Sequence, residues 1–470
     1  MSHWPLSRED MKRPVFRSLA QGIAAAIGAG ALRPGDRLPT HRELAWSLGI
    51  SVQTVSRAYE ELIRADMISS EVGRGSFVRP VPMALDDMPW HNNATKRQTI
   101  DMSLMTPVHL PEINKAWSAS LQRIAARVPD VLVQGSRPDQ VSERFTTSVC
   151  EWLTRCGLVT SGRRMTITNG VTPAMFSALS AVAKPGDVVL ADIVTSHLLR
   201  PAAQALHIGL RAVPNDAHGM CPDALREIAR KAPGAVKAVY LVPDGAGPDP
   251  RILDRTRRRA LAQAAEEADL MIVECDPLGP LEPRRPPPIA TIAPDRTFYC
   301  TGMTKCLSPG LRIGILIAPS SKFELTVNRH TAMSWMATPL MAEIAADWIA
   351  SGDADRLLDA QRAELQARNR LASRNLGPRS KGNLYGLHRW LPLPEGTQET
   401  AVVKALLDQG IAVAPGEKFA LADTSPALRI CLGGAERHQI EYALHEISAL
   451  VPSNDTDPDT AAHDTLAKLS

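Results

Sequence analysis

Residues 301–314 read TGMTKCLSPGLRIG, a run whose first charged side chain is Lys305 and whose next is Arg312, seven positions on. An ammonium is costly to desolvate. A lysine held among uncharged neighbours therefore has its pKa drawn down, and the free amine it releases is what Schiff-base chemistry with a carbonyl requires. A lysine that only snorkels from a strand end keeps polar company instead. A second set lies near the N-terminus. There Gln53, Thr54, Ser56 and Arg57 point outward from one amphipathic segment, and Arg74 stands in a Gly-Arg-Gly tip. Hydrogen-bonding side chains on an exposed helix beside a basic tip are suited to reading DNA.

The elements that must hold Lys305 are short apolar strands alternating with helices. The segments 165–170 (MTITNG), 187–192 (DVVLAD), 235–243 (AVKAVYLVP), 270–275 (LMIVEC) and 297–302 (TFYCTG) read as strands, and helical segments such as ILDRTRRRALAQAAEEA lie between them. This alternation predicts an α/β fold with a mostly parallel sheet covered by helices, its ligand at the C-terminal ends of the strands. A smaller α+β subdomain is expected from about residue 350, with GLHRWLPLP, GIAVAPGEKFA and ALRICLGG as its elements.

Ahead of this lies a compact helical module. Phe16, Leu19, Ile23 and Ile27 recur at helical spacing, and Gly30 is placed to stop that helix. After the Pro-Gly turn of LRPGDRLP, Thr40 and Glu43 form a capping box ahead of Leu44, Trp46 and Leu48, and Gly49 ends the short helix. Ser51 caps the next one, with Val52, Val55, Tyr59, Leu62 and Ile63 as its buried stripe. Residues 67–79 then read as a two-stranded wing able to place Arg74 in a minor groove. Pro80 to Pro111 lacks a sustained period and reads as a linker that enters the second domain near Ile100. The boundaries expected are thus 12–79 for the DNA-binding module, 80–99 for the linker, 100–452 for the large domain and 453–470 for a disordered tail.

Composition sets outer limits. With 470 residues, 44% hydrophobic and 22% charged, the chain has the make-up of a soluble globular protein of several domains. A net charge of +3 is too small to argue for nucleic acid by itself, so any basic surface is local. The seven cysteines, scattered and odd in number, fit reduced thiols and suggest no zinc site. No signal peptide and no run of ~20 apolar residues is present, so a cytoplasmic protein without membrane contact is expected.

Two resemblances sharpen this reading. The arrangement around Lys305, with PGLRIG after it, resembles the cofactor-lysine segment of fold-type I pyridoxal 5'-phosphate (PLP) enzymes, with Thr304 in place of the usual serine. The phrases PGDRLPTHRELAWSLGISVQTVSRAYEELIRADMI and GRGSFV resemble the winged helix-turn-helix of GntR-type bacterial regulators. Joined in one chain, they resemble the MocR subfamily: regulators that bind an operator in double-stranded DNA and use a PLP-binding, aminotransferase-like domain to sense an amine or amino acid. The resemblance implies that Lys305 forms the internal aldimine, that Arg312 binds the cofactor phosphate, and that the backbone of Asn169, Gly170 and Val171 cradles it. It implies that Arg429 clamps an effector carboxylate. It implies, too, that Arg42 holds a DNA phosphate, that Ser51, Gln53, Thr54 and Arg57 face the major groove, and that Arg74 and Gly75 act in the wing. Val52 and Ser56 stand where such regulators usually carry basic residues.

Four departures bear on the cofactor's electronics. Where the pattern has E-D-D followed by Tyr, this chain has Glu274, Cys275, Asp276 and then Pro277 and Leu278. Cys275 thus replaces the acid expected at the pyridine nitrogen, which Asp276 reaches only if the strand shifts or bulges at Pro277. The usual N-P-x-G reads GPDP from Gly247, and Ser196 replaces a stacking aromatic, with His197 either its substitute or a surface residue. Without an acid at the nitrogen the ring is a poor electron sink, so transamination should be slow while exchange of one amine for another is not. This favours a sensor over an enzyme. A PLP-dependent aminotransferase with an appended DNA module, and a regulator that has lost PLP, are the other readings. General similarity to regulators of ectoine and hydroxyectoine utilisation suggests an ectoine-derived amine such as a diaminobutyrate derivative; taurine, γ-aminobutyrate and D-amino acids are alternatives. Fold-type I sites form across a two-fold axis, so a homodimer is implied.

Overall fold

The computed structural model describes residues 14–28, 32, 35–64, 67–71, 75–78, 99–134, 137–138, 143–162 and 164–451, which fall into two compact units. The expectations for Gly30, Arg74, all but the last residue of the linker 80–99 and the tail 453–470 lie outside the described residues.

The first unit is a winged helix-turn-helix: α1 (Val15–Gly28), α2 (His41–Leu48), α3 (Val52–Arg64), β1 (Ile68–Glu71) and β2 (Gly75–Val78), the last two antiparallel. The capping box forms, with Thr40 N donating to Glu43 Oε2 at 2.9 Å and Glu43 N to Thr40 Oγ1 at 3.3 Å. Gly49 then closes α2 at φ +61°, a left-handed conformation that suits glycine. Leu19, Ile23, Leu44, Val55, Tyr59 and Leu62 form its core, and Tyr59 fixes α3 to the preceding turn by donating its hydroxyl to Pro39 O at 2.8 Å. Two residues expected inside are not: Val52 and Ile63 lie at the edge of the stripe, because the period that buries Val55, Tyr59 and Leu62 carries their neighbours past the core. Trp46 on α2 is 87% exposed.

The second unit is built on a seven-stranded sheet. Its strands are β3 (Met165–Thr168), β4 (Val188–Asp192), β5 (Gly209–Val213), β6 (Val236–Leu241), β7 (Met271–Asp276), β8 (Thr297–Gly302) and β9 (Gly314–Ile317), in the order β3-β9-β8-β7-β6-β4-β5. β9 runs antiparallel to both neighbours and the other pairings are parallel. Five of these strands match segments legible in the sequence; β5 and β9 do not. Apolar side chains leave both faces of the sheet: Val189, Tyr240, Val273 and Cys275 pack on one side, where α4 (Val171–Val182) lies, and Leu190, Val239, Leu241 and Ile272 on the other. This alternation decides where each side chain at the end of β7 can point.

A three-stranded antiparallel sheet, β10 (His388–Pro392), β11 (Ala414–Pro415) and β12 (Ala427–Cys431) in the order β10-β12-β11, follows the long helix α5 (Asp353–Leu376). Leu391, Leu428 and Ile430 pack with Leu371, Leu376 and Leu444 on one side of it. His388, Trp390, Arg429 and Cys431 are cross-strand partners on the other, His388 opposite Cys431 and Trp390 opposite Arg429. Among the described residues, no helix is long and apolar enough to cross a membrane, and no group of three or more His, Cys, Asp or Glu side chains could hold a metal.

Candidate functional site

β3 ends at Thr168, and the chain turns through Asn169 and Gly170 directly into α4. Gly170 caps that helix at φ +100° with no side-chain cap bond, so the first backbone N–H groups of α4 lack a partner from the cap and carry the positive end of the helix dipole. Arg312, itself left-handed at φ +47°, brings its guanidinium over Gly170: a Cβ on that glycine would lie 3.3 Å from Nη2. Arg312 Nη2 also donates to Asn169 O at 3.4 Å. Gly314 completes the close approach, since a Cβ there would strike the Gly170 carbonyl at 2.4 Å. Uncapped amides, a guanidinium and glycine-lined backbone make an anion cradle of phosphate type. The Asn169 side chain serves elsewhere, donating to Met336 O at 3.1 Å and accepting from Thr338 N at 2.9 Å.

Lys305 follows the end of β8, with Nζ 3.5 Å from Met105 Sδ. Burial, aided by the nearby cations Arg429 and Arg312, lowers its pKa to about 8. Arg429 is itself 3% exposed. Its Nη2 donates to Ser103 O at 2.6 Å, its Cζ lies 4.4 Å over the Phe419 ring, and its buried Nε has no partner. Among the described residues no carboxylate forms an ion pair with it. A buried guanidinium without a counterion is costly, and the arrangement is relieved by an anionic ligand.

Two histidines border the same space, and burial pushes both down to about 3, with Arg429 adding to the effect. His197 is half-buried and meets Phe419 edge-on at 5.7 Å between ring centroids, so it is not a fully exposed surface residue. His388 is wholly buried, its Nε2 3.0 Å from Pro248 O. A carbonyl only accepts, so Nε2 carries the proton and the unpartnered Nδ1 is an acceptor. Neither His388 nor Phe419 was singled out from sequence. The only available signal for His388 was its place two residues before Trp390 in an apolar strand.

At the end of β7 the three acidic-pattern residues part company. Cys275 faces Tyr240 and the Lys305 side, and burial raises its thiol pKa to about 11, so it is neutral. Asp276 turns away: Oδ2 accepts from Arg285 Nη1 at 2.6 Å and from the Tyr299 hydroxyl, and Oδ1 from Gly279 N at 3.1 Å. The bulge that would have brought Asp276 to a pyridine nitrogen is missing. β7 and β8 stay in register through Cys275–Cys300 and Asp276–Thr301, so strict alternation holds, and the expectation of Asp276 as a cofactor ligand is corrected on that ground.

Asp276 belongs instead to a buried charge network. Arg285 Nη1 also pairs with Asp244 at 3.1 Å, Arg258 pairs with the same Asp244, and Glu274 Oε1 lies 3.7 Å from Arg258. Three buried carboxylates share two guanidiniums, so burial wins and pushes Glu274 up to about 7 and Asp276 upward as well. Arg285→Ala would leave Asp276 and Asp244 short of a partner and should cost about 3–5 kcal/mol in denaturant unfolding at neutral pH. Because a carboxyl with raised folded-state pKa is penalised most when ionised, that deficit should shrink as pH falls toward 5. An unchanged deficit at both pH values would contradict this.

On the winged unit, Arg42, Ser51, Gln53 and Arg57 are exposed and Thr54 is half-buried. Ser51 and Thr54 are tied together, Oγ to Oγ1 at 2.8 Å, with Thr54 N donating to Ser51 Oγ at 3.1 Å. Arg57 lies 4.2 Å over the Phe16 ring, which braces an otherwise free guanidinium. Gly75, at φ +118°, packs against Arg37: a Cβ there would lie 2.9 Å from Nε.

Comparison with known proteins accords with both units. Residues 17–78 match the model of the bacterial regulatory proteins of the gntR family. The solved structure of an archaeal alanine:glyoxylate aminotransferase aligns with a TM-score of 0.69 at 22% identity, covering 75% of this chain and 90% of that one. Kynurenine aminotransferase of Pyrococcus horikoshii aligns with 0.67 at 20% identity, with the same coverage. The second unit has the fold-type I aminotransferase fold. Transcriptional regulators match over nearly the whole length of the chain. The vitamin B6 salvage pathway transcriptional repressor PtsJ of Salmonella typhimurium is 27% identical over 92% of this chain and 96% of its own length. The pyridoxine biosynthesis transcriptional regulator PdxR of Corynebacterium glutamicum is 24% identical over 92% and 95%.

Proposed function

We propose that this chain is a transcriptional regulator of MocR type, with a DNA-binding module at 12–79, a linker at 80–99 and a PLP-binding effector domain at 100–452, acting as a homodimer. The observation that carries the proposal is the pairing of an intact anion cradle and desolvated lysine with a neutral thiol, Cys275, where a ring acid would be needed for turnover. PLP, when bound, supplies an aldehyde with which a primary amine condenses. Lys305 would hold it covalently, with the amides after Gly170 and the Arg312 guanidinium on its phosphate. An effector amine would displace the Lys305 amine while its carboxylate occupies Arg429, satisfying a buried cation.

The full-length likeness to regulators named for vitamin B6 pathways supports this reading over that of an aminotransferase with an appended DNA module. The effector is an amine or amino acid. The cations Arg429 and Arg312 act on Lys305, which disfavours a second free ammonium; among ectoine-derived candidates, a diaminobutyrate derivative with its second amine acylated suits the site better than the diamine. The test is to titrate the PLP-loaded protein with a panel of amino acids plus a keto acid, following the visible spectrum and pyridoxamine phosphate. A spectral change without pyridoxamine phosphate is expected; steady formation of it would make the chain an enzyme.

Cys275→Asp provides a complementary check. A carboxylate at this position could keep the ring nitrogen protonated, so the variant should form pyridoxamine phosphate from a bound amino acid at least tenfold faster than the parent, about 1.4 kcal/mol in barrier. Equal rates would remove Cys275 from the explanation.

A further inference from the structure

Away from the Lys305 site, a groove of about 420 Å³ opens between α5 and the segment leading into β10. Its charged lining is all basic: Arg370 and Arg374 from α5, and Arg389 from β10. None of the three has a carboxylate partner among the described residues, whereas Arg356, Arg362 and Arg368 on the same helix all do. Arg374 in the last turn can be attributed to the helix dipole. That explanation does not extend to Arg370, four residues earlier, where like charges at this spacing repel, nor to Arg389 from another element.

Arg389 is only 6% exposed. Its Nε donates to Ser380 Oγ at 2.9 Å and its Nη2 to Ser380 O, so it is held by neutral oxygens alone, and burial lowers its pKa. Gly382 makes room for it, since a Cβ there would lie 2.6 Å from Nη1. Asn369, 2% exposed, also lines the groove. Its Nδ2 donates to Leu365 O at 3.0 Å and Gly386 O at 2.8 Å, which leaves Oδ1 as a buried acceptor without a donor.

We propose that this groove binds a small multivalent anion bearing a hydroxyl or N–H, such as a hydroxylated polycarboxylate or a phosphate ester, with Arg370, Arg374 and Arg389 on its charges and Asn369 Oδ1 on its donor. The site is separate from the effector pocket but shares a strand with it: His388 and Arg389 are consecutive on β10 and face opposite sides. A ligand here would be a second input to the protein.

The test is calorimetric titration of the full chain, loaded with PLP, at constant ionic strength with three probes. Citrate offers three carboxylates and a hydroxyl, tricarballylate the same carboxylates without it, and pyrophosphate a phosphate source. Saturable binding of citrate or pyrophosphate is expected, weakened at least tenfold in Arg370→Ala/Arg374→Ala, whose side chains are surface groups. Citrate should bind more tightly than tricarballylate. Absence of saturable binding, or equal affinity in the double variant, would overturn the proposal. So would a double variant that keeps its anion affinity but loses binding to non-specific duplex DNA, which would make the groove a DNA-backbone surface. Equal affinity for citrate and tricarballylate would overturn the role given to Asn369.

Discussion

Lys305→Ala should abolish the visible absorbance band of the PLP-loaded protein and, with it, any change in DNA affinity on adding an amine. The lysine follows the end of β8 and is buried there. The unmodified protein should show a second signature. With its pKa lowered to about 8, the amine is free at a pH where an ordinary lysine, near 10.4, is still protonated. The rate at which cofactor-free protein takes up PLP should therefore climb as pH rises toward 8 and level off above it. A rate still climbing toward pH 10 would place the uptake at a solvated lysine, and a variant that keeps its absorbance band would relocate the cofactor altogether.

Arg429→Leu should weaken a carboxylate-bearing effector by about 2–5 kcal/mol, roughly 30-fold or more in Kd, without loss of the PLP band. The guanidinium touches Ser103 O and the Phe419 ring and has no carboxylate among the described residues, so under the proposed function its role is to meet the ligand. The same reasoning gives a second readout. Removing a buried charge that has no counterion should leave thermal stability equal or higher, whereas loss of an arginine that holds the subdomain together would lower it. A variant that melts earlier and binds effector normally would overturn the assignment.

Much of this was legible from residue order. Capping signals at Thr40 and Ser51 and the helical period across Val55, Tyr59 and Leu62 specify the helix-turn-helix, since they act within a few residues of themselves. Lys305 stood out as a lone charge in an apolar run, and Arg312 and Gly170 through the resemblance of their local segments to those of fold-type I enzymes. The less legible features depend on long-range partners. Asp276 could not be placed without knowing that Arg285 and Tyr299 lie on its side of the sheet, and Val52 and Ile63 were read into the buried stripe of α3 because its edge depends on how the helix is turned toward the core. β9 escaped notice because GLRIGILIAP merges a cradle arginine with an apolar strand. His388 became a site residue only when β10 was paired with β12, opposite Cys431 and next to Arg429.

Ligand exchange at Lys305 should be read out on DNA and not spent on turnover. One titration of the PLP-loaded protein with its effector amine, following the visible spectrum, the pyridoxamine phosphate formed and the affinity for operator DNA, decides this. The expected result is a saturable spectral change that coincides with at least a tenfold change in DNA affinity, about 1.4 kcal/mol of coupling, and no pyridoxamine phosphate. Conversion to pyridoxamine phosphate with DNA affinity unchanged would contradict it.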